Sequence, residues 1–264
     1  MTRVAGTNII KAPCCGTHLA TPAYSSINFM GWEYWTDGHV DGSLAPGSEG
    51  LRRCLCGCCF LLADAQHIST ISNLKPPAPV GWESRNCNWW SRLLGRESRE
   101  EILERYDIRP VAEIDAEKMS IPPSPRFVTN SELSALIESD VTNVRITEVA
   151  RRLYWRHLND PFRGVYRAFR DAHKYEVDAS GNSATFPEYL PSAEQTENIE
   201  QLVKLLELAA SPKWLEIAEL YRELGDMDAA KCAMDHFTGE QGRLHFVVEK
   251  LVSLKVRCPV KFNY

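Results

Sequence analysis

The sequence lacks any apolar run near the ~20 residues that a membrane-spanning helix needs. Its first residues, Met1 to Lys11, also lack the charged head, long apolar stretch and small-residue cleavage site of a signal peptide. Nor is there an excess of positive charge, because the formal net charge is -5. A chain with this balance has no general attraction to nucleic acid or anionic membranes. We therefore expect a cytoplasmic protein with no membrane contact and no nucleic-acid partner.

Familiar catalytic signatures are missing as well. The sequence contains no G-x-S-x-G, P-loop, H-E-x-x-H or dinucleotide-binding fingerprint. The nearest approaches to a catalytic grouping are His39 beside Asp37 and Asp41, and His157 close to Asn159-Asp160. Neither has a matched nucleophile motif, so these histidines are interpreted as structural. The sequence predicts a non-enzymatic protein, with a hydrolase of unrecognised site as an alternative.

What the chain does have is nine cysteines, six of them in two tight clusters. An odd total and a clustered distribution argue against a secreted disulfide scaffold and favour a metal site. Structural zinc is held by four Cys or His ligands in a tetrahedron. The predicted ligands are Cys14, Cys15, Cys54 and Cys56, with His18, Cys58 and Cys59 as rivals and metal-free thiols as the alternative.

The order of short elements around these cysteines is that of a zinc ribbon. β-prone stretches lead into each cluster, and Thr36-Asp37-Gly38 supplies a hairpin turn between them. The predicted fold class is α+β, with a small β zinc ribbon at the N-terminus packed on a mainly α-helical domain. Its predicted parts are a zinc-ribbon-like domain at 1–64, a Pro/Trp-rich connector with short helices at 65–142 and a helical domain at 143–264.

Helix signals are local and repeated along the rest of the chain. Capping-box spacing at Ser98/Glu101 and at Thr129/Glu132 predicts two helix starts. A longer helix is predicted over 143–159 with Pro161 as its stop, followed by an exposed loop at 178–193. From Thr196 onward the apolar spacing predicts four short helices with tight turns. The tryptophan-rich stretches at 32–35 and 82–90 are predicted to form a core that joins the ribbon to these helices.

Two resemblances add to this interpretation. The stretch KWLEIAELYRELGDMDAAKCAMDHF at 213–237 resembles a tetratricopeptide-type helical hairpin, a motif that implies close antiparallel helices. The whole chain is similar to a family of bacterial proteins that pair an N-terminal zinc-ribbon-like segment with a helical half. Five segments carry this likeness: APCCG at 12–16, EYWTDG at 33–38, LRRCLCG at 51–57, YWRHLNDP at 154–161 and ELYRELG at 219–225. The likeness implies the architecture and no activity.

An acidic helical half without catalytic motifs is typical of a protein-binding module. The hypothesis is an immunity protein that neutralises a toxin effector by stoichiometric binding, with Glu216, Glu219 and Glu223 as exposed charges that steer a basic partner. The alternative is a zinc-ribbon regulator or adaptor that contacts nucleic acid or its machinery. For that alternative, six arginines between 151 and 170 offer a basic face, although pairing with acidic residues from other segments is the preferred explanation because the total charge is negative.

Overall fold

The computed structural model of the chain describes residues 3–26, 32–41, 50–72, 121–139, 143–172, 186–239 and 242–262. Within these ranges the fold is a mixed α+β arrangement of small antiparallel sheets and helices. The strands are β1 (Arg3–Lys11), β2 (His18–Ser26), β3 (Glu33–Trp35), β4 (Val40–Asp41), β5 (Leu51–Arg53), β6 (Cys59–Leu61), β7 (Gln66–Ser72), β8 (Arg126–Phe127) and β9 (Lys261–Phe262). The predicted helix at 98–106 and three of the tryptophans, Trp82, Trp89 and Trp90, lie outside the described residues.

The described helices are concentrated in the C-terminal half. They are α1 (Asn130–Glu138), α2 (Val144–Leu158), α3 (Asp160–Ala172), α4 (Ala193–Glu207), α5 (Trp214–Leu224), α6 (Met227–Asp235) and α7 (Arg243–Ser253). Among these described helices, none combines the length and apolar character needed to cross a membrane.

The chain divides into two compact units, and the division does not follow the linear order of the predicted domains. The first, here called the β unit, comprises Met1–Phe29 and Arg52–Phe127; the second, the helical unit, comprises Met30–Leu51 and Val128–Tyr264. The stretch 30–51, which the sequence analysis placed with the ribbon, thus belongs with the helices. It contributes β3 and β4 to a sheet of order β4-β3-β9.

The β unit is built around two three-stranded sheets. In the larger, β1 is the central strand and pairs antiparallel with β2 on one side and β7 on the other. The smaller has the order β6-β5-β8. The apolar core is modest, with Ile10, Ala12, Leu19, Cys54 and Phe60 buried together. A core of this size supplies little stability by itself.

Local cap signals set most helix boundaries in the helical unit. At the start of α1, Thr129 and Glu132 form the predicted capping box. Asn143 caps α2 through its side-chain oxygen, and Gly225 ends α5 in the left-handed conformation with φ 88°. The predicted stop at Pro161 was wrong in part: α2 ends at Leu158, but α3 begins at once, because proline is tolerated in a first helical turn.

Aromatic side chains fill the core of the helical unit. Trp155 is buried among the residues of α4, α5 and α6, while Trp35 packs edge-on against Tyr166 with ring centroids 5.3 Å apart. Tyr189 is buried beside them, so the loop predicted at 178–193 as exposed carries a core residue in its described part. Trp32 and Tyr34 are half-buried. Trp35 therefore belongs to the core of one unit.

A network of buried polar groups lies within this core and corrects the prediction for α5. Glu219 and Glu223 are fully buried, not exposed, and Glu216 is largely covered and paired with Arg152. The Glu219 carboxylate accepts hydrogen bonds from the buried Arg222 guanidinium. The physical reason is that α5 is enclosed by neighbouring elements, so its polar positions pair with one another and with distant segments instead of with water.

Burial favours the protonated form of Glu223. The Glu223 Oε2 atom accepts from the Trp155 indole at 2.8 Å and lies 3.2 Å from both the Tyr189 hydroxyl and the Asn159 amide nitrogen. The carboxyl group is thus enclosed by buried polar groups and shielded from water. Burial, followed by the nearby Glu219 and Asp37 carboxylates, raises the pKa of Glu223 to about 8.

This proton predicts a specific pH dependence of stability. Between pH 4.5, the ordinary pKa of the glutamate, and about 8, the folded chain holds a proton that the unfolded chain releases. Stability should therefore fall as pH rises through this window, by up to about 1.4 kcal/mol per pH unit, and level off above it. Glu223→Gln removes this contribution. The difference between the free energies of unfolding of variant and wild type, measured with denaturant, should therefore shift in the variant's favour from pH 5 to 9. The exposed control Glu200→Gln should show the same pH dependence of stability as wild type. If Glu223→Gln also shows the wild-type pH dependence, the proton is not held by Glu223.

Candidate metal centre

Two tight turns of the β unit present the clustered cysteines. Cys14 and Cys15 lie in the turn between β1 and β2, where Gly16 N–H donates to Ala12 O at 2.9 Å. Cys54 and Cys56 lie in the turn between β5 and β6, where Cys54 N–H donates to Cys58 O at 2.8 Å. Each turn contains a glycine in the left-handed region, which other side chains rarely adopt. Both clusters are thus held by backbone geometry.

The structure brings together the four cysteines that the sequence analysis predicted as ligands. The Sγ atoms of Cys14 and Cys56 are 3.5 Å apart, as are those of Cys15 and Cys54, and the Cys14–Cys15 pair is 3.9 Å apart. All four sulfurs lie within 4.8 Å of one another. A metal ion with Zn–S bonds of 2.3 Å requires sulfurs about 3.8 Å apart at the corners of its tetrahedron. The three measured distances lie near this value, so the cluster is compatible with a tetrahedral metal site.

Hydrogen bonds already favour the thiolate form at two of these positions. Contacts with the Thr17 hydroxyl and backbone lower the pKa of Cys15 to about 6, and a backbone hydrogen bond at Cys58 lowers the pKa of Cys56. Burial raises the pKa of Cys54 and of Cys14, and neighbouring thiols raise the latter further. Metals bind the thiolate form of cysteine. Cys15 and Cys56 therefore ionise easily, whereas Cys14 and Cys54 would lose their protons when a cation binds.

Sequence reasoning missed the residues around the ligands. Thr17 Oγ1 lies 3.1 Å from the Cys15 sulfur. The Lys11 side chain runs within 3.3 Å of the position that a Cβ of Gly16 would occupy, and Arg53 lies 3.9 Å from the equivalent position at Gly57. Four thiolates with a divalent cation carry a net charge of -2, which nearby cations stabilise. The available signal was the position of the two cations: Arg53 directly precedes Cys54, and Lys11 precedes Cys14 by three residues.

The rival ligands stand outside the four-sulfur group. Among the residues that the structure describes, the group whose ligand atoms all approach within 4.8 Å consists of Cys14, Cys15, Cys54 and Cys56. Cys58 is exposed and Cys59 is half-buried, in or next to the same turn as Cys54, and His18 is exposed at the start of β2. Cys58 therefore lies outside the four-sulfur group but only two residues from Cys56, which belongs to it, so a Cys58 variant is a matched control for a Cys56 variant.

The two histidine groupings lie in the helical unit and have structural partners. His39 Nε2 is 3.1 Å from Asp41 Oδ1, and Asp41 also accepts from the Trp35 indole at 2.9 Å. His157 Nδ1 is 3.2 Å from Asp160 and 3.1 Å from the Asn130 amide. These contacts join β3 to β4 and α1 to α2, so both histidines have hydrogen-bond partners within the fold.

The arginines between 151 and 170 are drawn into pairs with other segments. Arg163 is buried against Asp37 at 2.5 Å, and Arg167 pairs with Asp41 and Glu33. Arg152 is buried between Glu148 and Glu216. Three of the six arginines of the predicted basic face are thus engaged in ion pairs, which favours the charge-pairing interpretation for these three.

Comparison with known proteins gives no further guide to the site. The chain matches no protein-family model, no curated protein and no solved structure. The chemistry of the centre is therefore inferred from its own donors, which are four thiol sulfurs within 4.8 Å of one another on two turns.

Proposed function

We propose that the four-cysteine cluster holds one structural zinc ion and that the chain acts as a non-enzymatic protein-binding module. The observation that supports zinc is the sulfur spacing of 3.5 to 3.9 Å between paired ligands. Four protein thiolates complete the coordination shell, which is the pattern of structural zinc and leaves no position for a substrate. Iron also accepts four thiolates, so elemental analysis of the purified protein decides between the two metals.

The protein partner is assigned to the helical unit by its charge. That unit contains seventeen Lys and Arg residues against twenty-five Asp and Glu residues. With Glu219 and Glu223 buried, the exposed acidic residues lie elsewhere, and α4 presents a line of them that only Lys204 interrupts: Glu194, Glu197, Glu200 and Glu207. Leu208, 84% exposed, stands at the end of this line. Acidic groups beside an exposed apolar side chain favour a basic partner with a small apolar contact.

The specific form of this proposal is an immunity protein that caps a toxin effector. Such a protein works by stoichiometric binding, so a tight complex with slow dissociation is its expected signature. The acidic line on α4 would accelerate encounter with a basic toxin surface. The support for this form is the acidic character of the chain, whose formal net charge is -5.

The experiment isolates the partner and then tests the α4 line. The zinc-loaded chain is used as bait in lysate of its native host, captured proteins are identified by mass spectrometry, and the purified candidate must form a complex of fixed stoichiometry. We expect Glu197→Lys/Glu200→Lys to slow association about tenfold at 50 mM salt, and much less at 500 mM, because steering is screened. The matched control Asp228→Lys/Asp235→Lys changes net charge equally on α6.

Equal slowing by both double variants would show a general charge effect instead of a surface on α4. For the immunity form, co-expression must rescue cells that produce the captured toxin. A captured partner that the chain modifies in repeated turnovers would overturn the non-enzymatic proposal.

A further inference from the structure

The four-cysteine cluster is open to small molecules. Cys14, Cys15 and Cys56 are exposed, and Cys54 is the one member that is buried. A metal ligand is a thiolate, and the thiolate is also the form of cysteine that peroxides oxidise. Three of the four ligand residues are therefore within reach of a dissolved oxidant, so the cluster is a site of sulfur chemistry as well as of metal binding.

The cysteines face one another across the two turns. The Sγ atoms of Cys14 and Cys56 are 3.5 Å apart, and so are those of Cys15 and Cys54. The sulfurs of a disulfide are about 2.05 Å apart, so either pair has to close by about 1.5 Å to form one. A movement of this size can come from rotation of the side chains while the two turns keep their places.

The adjacent cysteines of the first turn are poorly placed to bond with each other. Their Cα atoms are about 3.8 Å apart across a trans peptide, whereas ordinary disulfides join Cα atoms roughly 4.4–6.8 Å apart. The sulfurs of Cys14 and Cys15 are also 3.9 Å apart, farther than in either cross-turn pair. Oxidation of either residue is therefore directed to a cysteine of the other turn.

We propose that this cluster is a site of reversible oxidation, at which a peroxide joins the two turns by disulfide bonds and displaces the metal ion. This inference rests on the proposed zinc site. One thiolate sulfur attacks a peroxide oxygen, the O–O bond breaks and hydroxide leaves. The facing thiolate then attacks the sulfenic acid, which forms the S–S bond and releases a second hydroxide. Each disulfide thus transfers two electrons to one peroxide, and the first already removes two of the four ligands. A thiol reductant reverses the step by exchange.

The oxidised chain should differ from a chain that a chelator has stripped of metal. The ion is lost in both, but the disulfides bridge the same two turns that the ion had joined. The paired cysteines are 42 and 39 positions apart, and cross-links that close loops of this length constrain the unfolded chain. We therefore expect the β unit to stay folded after oxidation, whereas metal removal from the reduced chain unfolds it.

The test uses the full, zinc-loaded chain, and its zinc content is measured first. Hydrogen peroxide should release the bound zinc to a chromogenic chelator, leaving almost none on the protein. After tryptic digestion without reductant, the peptides 12–52 and 54–85 should remain joined. Amide hydrogen exchange should show retained protection in 3–26. A thiol reductant with added zinc should separate the peptides and restore the zinc content.

The matched variant Cys58→Ser/Cys59→Ser leaves Cys54 and Cys56 as the cysteines of the second peptide. It should release zinc and join its peptides as wild type does; if circular dichroism shows it to be misfolded, the two single variants replace it. Zinc that stays bound in excess peroxide overturns the inference and leaves the zinc site standing. Release without joined peptides, or joined peptides with lost protection in 3–26, also overturns it. A chain without zinc at the outset contradicts the zinc proposal, and this one with it.

Discussion

Removal of zinc by a strong chelator is expected to unfold the β unit while the helical unit stays folded. Structural zinc contributes about 10–16 kcal/mol of apparent binding free energy in small zinc domains. The β unit has only a small apolar core, and one of its members, Cys54, is itself a proposed ligand. Amide hydrogen exchange followed by mass spectrometry should show lost protection in 3–26 and 50–72. The helices α4 to α7 should keep theirs, because their core is separate and extensive.

Two serine variants from the same turn sharpen this prediction. Cys56→Ser removes a proposed ligand and should lower zinc content well below one equivalent, whereas Cys58→Ser should retain full zinc. Both cysteines are exposed, so a difference in packing does not separate them. Full occupancy in both variants would remove Cys56 from the ligand set, and loss in Cys58→Ser would place a rival in it. Metal-free protein with an unchanged melting curve would end the zinc proposal itself.

The parts of the fold that could be predicted are those with local causes. The capping box of Thr129 and Glu132 spans four residues, and the turn at Thr36-Asp37-Gly38 needs only a glycine with positive φ. Both are present where the sequence placed them. The position of each cysteine cluster in a short turn between β-strands also had a local basis, whereas the tertiary fold brings the two clusters together, since the paired cysteines are 42 and 39 positions apart.

The buried network of the helical unit had no local signal. Asp37 and Asn159 are separated by 122 positions, and Asn159 and Glu223 by 64, so their contact depends on the tertiary fold. In the sequence, Glu219, Arg222 and Glu223 look like the polar side of an amphipathic helix. Enclosure of α5 on more than one side changed their environment, which periodicity alone does not reveal. The same enclosure explains why 30–51 belongs to the helical unit, since Asp37 lies in that stretch.

Loss of the Asp37 charge is expected to be the most damaging single change in the helical unit. Its carboxylate is buried and accepts from Arg163, from the Asn159 amide at 3.1 Å and from the His39 backbone N–H at 3.0 Å. Asp37→Asn keeps the shape but leaves the buried Arg163 guanidinium without its buried counter-charge. Removing one member of a buried ion pair costs about 3–5 kcal/mol. Chemical denaturation of the helical unit, followed by tryptophan fluorescence, measures this loss.

Asp160 provides a control for Asp37, because Arg163 pairs with both carboxylates and the Asp160 side chain is 51% exposed. Asp160→Asn removes the same charge from the same arginine, but water screens it, so the cost should be at most about 1 kcal/mol. In the double variant Asp37→Asn/Arg163→Met no buried charge of this pair is left uncompensated, so it should be less destabilised than the sum of its single variants. Additive losses, or equal losses for Asp37→Asn and Asp160→Asn, would show that burial of the Asp37–Arg163 pair is not what makes Asp37 critical.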